Sequence, residues 1–238
     1  MLIPVTPHLP VENQLLRTLP GAEFKRLLPH LEVVRLAQGK TLYEAGAPMR
    51  HAYFLLNGMV SLLATTEDGQ TIEVAMIGNE GAVGISLILR ADQSHCKVMV
   101  QLPAYAMRIR ADILRREFSE AGQFQYLLLR YTHTVLAQIS QSAACNRFHT
   151  VEQRLCRWLL VSRDRAKSDT LQLTQELLAH MLGSPRTSVT MIAVTLQKAG
   201  LIRYRRGKIT IIDLAGLEAT SCECYRIVRD KISKSLIA

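Results

Sequence analysis

Short β-branched and aromatic runs separated by glycines fill the stretch from about Leu31 to Arg110, with Gly39, Gly46, Gly58, Gly69, Gly78, Gly81 and Gly84 as punctuation. Such runs predict strands at Tyr53–Leu56, Val60–Leu63, Ile72–Ile77, Lys97–Leu102 and Ala106–Ile109. Asp68-Gly69 has the composition of a hairpin turn. Turn residues recurring at roughly ten-residue intervals imply an antiparallel barrel or jelly roll. Ahead of this region, Pro4, Pro7 and Pro10 predict an extended lead-in, followed by short helices over Val11–Leu19 and Ala22–Leu28.

From Ala111 to about Asn146 the composition turns helical, with Gly122 as its one glycine. Phe124, Leu128, Tyr131, Val135, Gln138 and Ser142 follow the alternating four-three spacing of a coiled-coil seam. Leu129, Thr132, Leu136, Ile139 and Ala143 make a second, largely apolar stripe. A helix with two apolar faces needs two partners, and its own barrel and a symmetry mate supply them. The seam from Phe124 to Ser142 is assigned to the mate; burial of the helix within one chain is the alternative. A further helix is expected over Thr150–Arg165, with a polar break at 166–169.

Residues 174–204, TQELLAHMLGSPRTSVTMIAVTLQKAGLIRY, have the pattern of a helix-turn-helix. Thr174 suits an N-cap, Gly183 the left-handed turn that ends the first helix, and Ser184-Pro185 the cap and first position of the second. Counted from Gln175, Ala179 allows the helices to cross, Gly183 makes the turn, and Val189 locks the second helix on the first. Val189, Ile192 and Leu196 form the buried stripe. Arg186, Thr187, Ser188, Thr190 and Met191 are left near the outer N-terminal end, the part that enters a major groove. Arg186 is the candidate for base reading, because a guanidinium bonds guanine bidentately. Met191 suits a thymine methyl, and Ser184 with its neighbouring N–H groups suits a phosphate. Ile202, Tyr204, Ile209 and Ile211 alternate around Arg206-Gly207 as a two-stranded wing, where Arg203, Arg205, Arg206 and Lys208 suit phosphate contacts.

Charge sharpens this picture. Of the net +9, residues 1–146 contribute +1 and residues 147–238 contribute +8, so the basic excess lies with the expected DNA-reading unit. No apolar run approaches the roughly 18 residues that span a bilayer, and no charged-then-apolar leader opens the chain, so a cytoplasmic protein without membrane contact is expected. The five scattered cysteines argue against a disulfide framework. Phosphate loops, nucleophile elbows and metalloprotease helices are absent from the sequence, so no enzyme, no catalytic residue and no cofactor is expected.

A glycine-punctuated β domain, a long helix and a winged helix-turn-helix, in that order, resemble the Crp/Fnr family of transcription regulators over essentially the whole chain. The β-domain resemblance rests on GKTLYEAG at Gly39–Gly46, on Asn57-Gly58, and on Gly81-Ala82-Val83-Gly84. It implies an α+β protein: a cyclic-nucleotide-binding-like β-roll over 1–110, a dimerisation helix and hinge over 111–148, and a winged helix-turn-helix domain over 149–238. It also implies a homodimer on a palindromic promoter site, with duplex DNA and RNA polymerase as partners.

The departures bear on the effector. Cyclic-AMP-binding members carry a Glu after the second glycine of that segment and an Arg with Ser or Thr some ten residues on. Here Ile85 follows Gly84, and His95 and Cys96 stand at the later positions. The ribose-binding carboxylate and the phosphate-binding guanidinium are both missing, and burying an uncompensated phosphate is costly. An unknown effector other than cyclic AMP is therefore expected, with Gly84, Ile85, Ser86, His95 and Cys96 lining its pocket; only Arg90 or Lys97 could replace the missing cation for a cyclic nucleotide. No cysteine precedes Cys96, which disfavours the N-terminal iron–sulfur sensing of other members. Cys222-x-Cys224 offers two soft ligands without an evident second pair, so no metal site is assigned. Cys145 and Cys156 are expected as packed small residues. On the recognition helix, Thr187 and Met191 replace the family's usual Glu and second Arg, so no operator sequence carries over. A cyclic-nucleotide or other small-molecule sensor, or a redox or metal sensor using cysteines, are the alternatives.

Overall fold

The computed structural model describes residues 12–236; the expected lead-in around Pro4, Pro7 and Pro10 lies outside the described residues, as does Val11. The chain divides into two compact units. One comprises the residues up to Leu62, Met76–Leu136 and the chain from Lys231; the other comprises Leu63–Ala75 and Ala137–Asp230.

Helices α1 (Gln14–Arg17) and α2 (Gly21–Leu27) precede the β-roll, most of which falls in the first unit, with Leu63–Ala75 counted in the second. The strands of the roll are β1 (Glu32–Leu36), β2 (Thr41–Tyr43), β3 (His51–Leu55), β4 (Met59–Thr65), β5 (Thr71–Ile77), β6 (Ala82–Val83), β7 (Lys97–Leu102) and β8 (Ala104–Arg110). They form two four-stranded sheets in the orders β1-β8-β3-β6 and β2-β7-β4-β5. The pairings of β1 with β8, β3 with β8 and β6, and β2 with β7 are antiparallel, so the first strands of the roll lie beside its last. Phe54, Leu55, Met59, Val60, Met76, Val100, Ala106 and Met107 fill the interior. Asn57 and Gly58 turn the chain from β3 to β4. Gly58 has φ +72°, and a Cβ there would overlap the Pro103 carbonyl oxygen and lie 2.7 Å from the Ala104 Cβ. Asn57 Oδ1 accepts from the Tyr105 N–H at 2.8 Å. Asp68-Gly69 turns the chain as expected but inside a longer loop, in which the Gly69 N–H donates to Thr66 O and the Thr66 N–H to Gln70 O, each at 2.9 Å.

Helix α3 (Ala111–Ser119) ends before Ala121, whose φ is +52°, and α4 (Gln123–Phe148) begins just after Gly122. Glu23 starts α4 by accepting from the N–H groups of Gln123 at 3.0 Å and Phe124 at 2.8 Å, a carboxylate at a helix N-terminus. The seam assigned to a partner proves to be the inward face. Phe124, Leu128, Tyr131, Val135, Gln138 and Ser142 are all buried within the single chain. Phe124 packs on Phe54 with ring centroids 6.2 Å apart, and the Tyr131 hydroxyl donates to Ala82 O at 3.1 Å. The exposed stripe is Tyr126, Leu129, His133, Leu136, Ser140, Ala143 and Arg147, again at alternating spacings of three and four. Leu129 is 47% and Leu136 58% exposed. Of the second stripe, Leu129, Leu136 and Ala143 are exposed, but Thr132 is buried and Ile139 half-buried, so the spacing caught only part of the outward face and assigned the inward face to the partner.

In the second unit, α5 (Val151–Ala166) begins with a capping box in which Thr150 and Gln153 bond each other's backbone N–H. There follow β9 (Thr170–Gln172), α6 (Gln175–Leu182), α7 (Arg186–Lys198), β10 (Ile202–Arg205), β11 (Lys208–Ile211), α8 (Leu214–Thr220) and α9 (Cys224–Leu236). Trp158, the one tryptophan, is buried and its indole N–H donates to Glu73 at 3.2 Å; Glu73 belongs to the segment counted in this unit. No helix among the described residues is long and apolar enough to cross a membrane.

Candidate nucleic-acid interface

Local chemistry sets the helix-turn-helix. The Thr174 side chain caps α6 by accepting from the Leu177 N–H at 3.1 Å. Gly183 ends α6 with φ +54°, and the Ser184 N–H donates to Ala179 O at 3.1 Å, a left-handed termination. The buried guanidinium of Arg154 donates to Leu182 O, placing a cation at the carbonyl end of α6. Val189 is fully buried against α6, with Ala193 and Leu196 below it. Ile192 is only half-buried, and Ala193 takes the place assigned to it in the buried stripe.

The start of α7 differs from expectation. Pro185 occupies the capping position and Arg186 the first helical one, while the Ser184 hydroxyl turns back to donate to Leu182 O at 3.2 Å. Pro185 is fixed at φ −56°, which suits the entry into α7 but leaves no side-chain cap. The first N–H groups of α7 therefore carry no side-chain acceptor from the cap position, the state in which a helix start accepts a phosphate.

Arg186, Thr187 and Met191 are exposed and Ser188 and Thr190 half-buried, so all five expected reading residues reach solvent from the N-terminal half of α7. Met191 is 65% exposed, so its side chain is open to whatever surface meets α7. The Thr190 hydroxyl lies 2.8 Å from both Gln175 Oε1 and Arg186 O, so it ties α7 to α6 as well. Sequence reasoning passed over Val194, which is 46% exposed one turn after Met191 on the same helix; spacing from Arg186 and Met191 was the clue.

The wing is a sheet of three strands rather than two, in the order β10-β11-β9. Arg206 and Gly207 form its two-residue turn with φ +50° and +73°, the left-handed pair that matches the twist of the flanking strands. Gln197 fixes the wing to α7 by accepting from the Tyr204 N–H at 2.7 Å. Arg203, Arg205, Arg206 and Lys208 are exposed, and none of them forms an ion pair among the described residues. β9 was not foreseen because Thr170–Gln172 is a three-residue edge strand with one apolar residue, too short to show an alternation.

In the β-roll, Gly84 sits at φ +84° and Ile85 opens a 3₁₀ turn that runs to Leu89. A Cβ at Gly84 would lie 3.1 Å from His51 O and from the Tyr43 hydroxyl oxygen, so glycine is fitted there by close approach. Ser86 and the residues before His95 share a neighbour: the Ser86 hydroxyl is 3.6 Å from the Met49 sulfur, and the Met49 N–H donates to Asp92 O at 2.9 Å. His95 and Cys96 face opposite ways, the histidine exposed and the thiol buried; burial pushes the Cys96 thiol up. They occupy the bend before β7 rather than a strand. Lys97 is engaged by Glu44 at 3.3 Å.

Comparison with known proteins matches both halves. Residues 33–121 match the cyclic nucleotide-binding domain family and residues 153–220 the Crp-like helix-turn-helix domain family. The chain is 23% identical over 199 residues to the global nitrogen regulator of Synechococcus elongatus, covering 79% of this chain and 88% of that protein. Among solved structures, a Crp/Fnr-family transcriptional regulator from Eubacterium rectale superposes with a TM-score of 0.70 at 20% identity, over 87% of this chain and 96% of that one. FixK2 from Bradyrhizobium japonicum gives a TM-score of 0.69 at 14% identity, over 81% and 98%. At such identities the structural likeness speaks for the fold alone. With both domain families matched in order, and a curated regulator aligned across most of its length, the chain belongs to the Crp/Fnr family of transcription regulators.

Proposed function

We propose that this regulator binds a two-fold symmetric duplex site as a homodimer, each α7 entering a major groove while the wing holds the flanking backbone. The observation that carries this reading is the joint exposure of Arg186 at the first position of α7 and of four cations, without ion pairs among the described residues, on the wing fixed beside it. Arg186 reads a guanine, Thr187, Ser188 and Thr190 bond bases or phosphates, and Met191 packs on a thymine methyl. Arg203, Arg205, Arg206 and Lys208 supply affinity without sequence information. The first N–H groups of α7 take a phosphate, while the N–H and hydroxyl of Ser184 bond back to Ala179 O and Leu182 O and serve the turn. The dimer forms along the exposed stripe of α4 centred on Leu129 and Leu136.

The effector is a small molecule other than cyclic AMP. Ile85 in place of a carboxylate supports this, as does Lys97, already paired with Glu44. RNA polymerase is the partner through which the bound dimer acts on transcription. Selection of bound sequences from a random duplex pool, with and without cell extract, tests the reading. It predicts an inverted repeat whose half-sites lie one helical turn, or a whole number of turns, apart. Recovery of a single asymmetric site, or of no site, defeats it. A second reading, a cyclic-nucleotide sensor, follows from the match of residues 33–121 to the cyclic nucleotide-binding family; a thermal shift with cyclic AMP or cyclic GMP decides for it.

A further inference from the structure

Cys222-x-Cys224 does acquire a second pair, supplied by α4. Cys145 in the last turn of α4, His149 just past its end, Cys222 after α8 and Cys224 at the start of α9 bring one ligand atom each to a single point, all four within 4.8 Å of one another. The Cys145 and Cys222 sulfurs are 3.6 Å apart, and the Cys224 sulfur is 3.6 Å from His149 Nδ1. A tetrahedral ion with metal–sulfur bonds of about 2.3 Å spaces its ligands about 3.7 Å apart, so these separations leave room for one ion at the centre. The ligands of a four-iron cubane stand much farther apart. The three sulfurs are buried.

The surroundings are those of a ligand set. His149 turns Nδ1 toward the sulfurs and Nε2 toward Glu223, 3.2 Å away, which is the carboxylate–imidazole arrangement that fixes a metal-bound histidine. The Gln141 amide donates to the Cys224 sulfur at 3.0 Å. Arg154 and Arg157 lie within electrostatic reach of Cys145 and Cys222, and Arg157 Nε is buried without a hydrogen-bond acceptor. Packing two buried cations against neutral thiols is unfavourable. Three thiolates around a divalent ion carry a net charge of −1, which those arginines complement.

We propose that Cys145, His149, Cys222 and Cys224 bind one thiophilic divalent cation of the zinc class in a closed tetrahedral site. Binding of M²⁺ exchanges three thiol protons for three metal–sulfur bonds and one metal–nitrogen bond, so three protons are released and no electron moves. With four protein ligands no position is left for water or substrate, so the ion is structural. It joins the end of α4 to the junction of α8 and α9 within one unit, and touches none of the residues assigned to DNA.

The test is metal analysis of the full-length protein, purified with a thiol reductant and without chelator, followed by stripping and titration with Co²⁺. The proposal predicts one zinc per chain. It also predicts visible thiolate–Co²⁺ bands that reach full intensity at one equivalent and vanish on adding Zn²⁺. Cys222→Ser and Cys224→Ser abolish the bands, whereas Cys156→Ser and Cys96→Ser keep them. Because the ligand variants are at risk of misfolding, Glu223→Gln serves as the gentle probe, and a ten- to hundredfold weaker Co²⁺ affinity with an unchanged spectrum is expected. Less than a tenth of a metal per chain even with zinc supplied overturns the proposal. So do iron with labile sulfide, a Cys145–Cys222 disulfide in the reduced preparation, or bands that survive Cys222→Ser.

Discussion

Replacing Leu129 and Leu136 with alanine tests which face of α4 meets the second chain. Full burial of a leucine side chain contributes about 1.5–3 kcal/mol. These two are 47% and 58% exposed in the single chain, so roughly half of that value is still to be gained on association. Two residues on each of two chains sum to about 3–6 kcal/mol. Alanine keeps a minor share, so the double variant loses about 2–4 kcal/mol of dimer stability, a 30- to 1,000-fold rise in dissociation constant. Both side chains face solvent in the single chain, so the melting temperature at concentrations where the parent is monomeric changes little. Sedimentation equilibrium across nanomolar to micromolar chain concentrations reads the constant directly. Leu128→Ala is the contrasting variant: Leu128 is fully buried in its own chain, so it costs about 2–5 kcal/mol of folding stability and shows as a lower melting temperature. A dissociation constant within threefold of the parent's for Leu129→Ala/Leu136→Ala refutes the assignment.

Other consequences are as specific. Gly58→Ala places a methyl against the Pro103 carbonyl at φ +72°, so a loss of at least about 1–3 kcal/mol is expected, read as a lower urea midpoint at unchanged slope; a midpoint equal to the parent's contradicts the turn geometry. Changing Arg205 and Lys208 to alanine weakens all duplexes alike and reduces the slope of log K against log salt by about 0.9 for each phosphate that is no longer neutralised; an unchanged slope removes the wing from the interface. Burial alone would raise the Glu117 carboxyl, but hydrogen bonds from Arg26 and Arg116 overcome it and hold the group below its ordinary value. Its contribution is therefore complete above the ordinary carboxylate range and is lost as pH falls through the lowered folded value. Glu117→Gln should flatten this acid limb of a stability-against-pH curve, and a limb identical to the parent's excludes the pair as its cause.

The helix-turn-helix was legible because each of its steps depends on local chemistry. Thr174 caps, Gly183 takes a left-handed turn and Val189 is buried whatever the rest of the chain does. Strands with alternating β-branched positions were likewise readable, and Lys97–Leu102, with Val98 and Val100, matches its strand end to end. β1 was missed because two of its five residues are charged: Glu32 is held by Arg108 across the β1–β8 pair, which only the fold brings together. α4 shows where spacing fails. A four-three repeat defines a face, but which of two such faces turns inward is decided by the sheets that pack on it, and Tyr131 reaching Ala82 is a long-range fact. The cysteines are the extreme case. Cys222 and Cys224 were visible as a pair, but Cys145 and His149 lie more than seventy residues earlier, and nothing local links them. The effector positions were legible as departures from a pattern rather than as a site, since His95 and Cys96 are adjacent in sequence and face opposite ways.

Competitive binding to a selected duplex and its single-base variants, for the parent and Arg186→Ala across a range of salt, tests the central claim most directly. If α7 reads bases and the wing holds phosphates, Arg186→Ala loses about 1–3 kcal/mol on the preferred duplex and discriminates poorly at one base pair per half-site, while its salt slope stays within one unit of the parent's. A variant that keeps full discrimination at every position and loses affinity only through a shallower salt slope contradicts the account, because Arg186 would then be a phosphate contact and α7 would not be the reading helix.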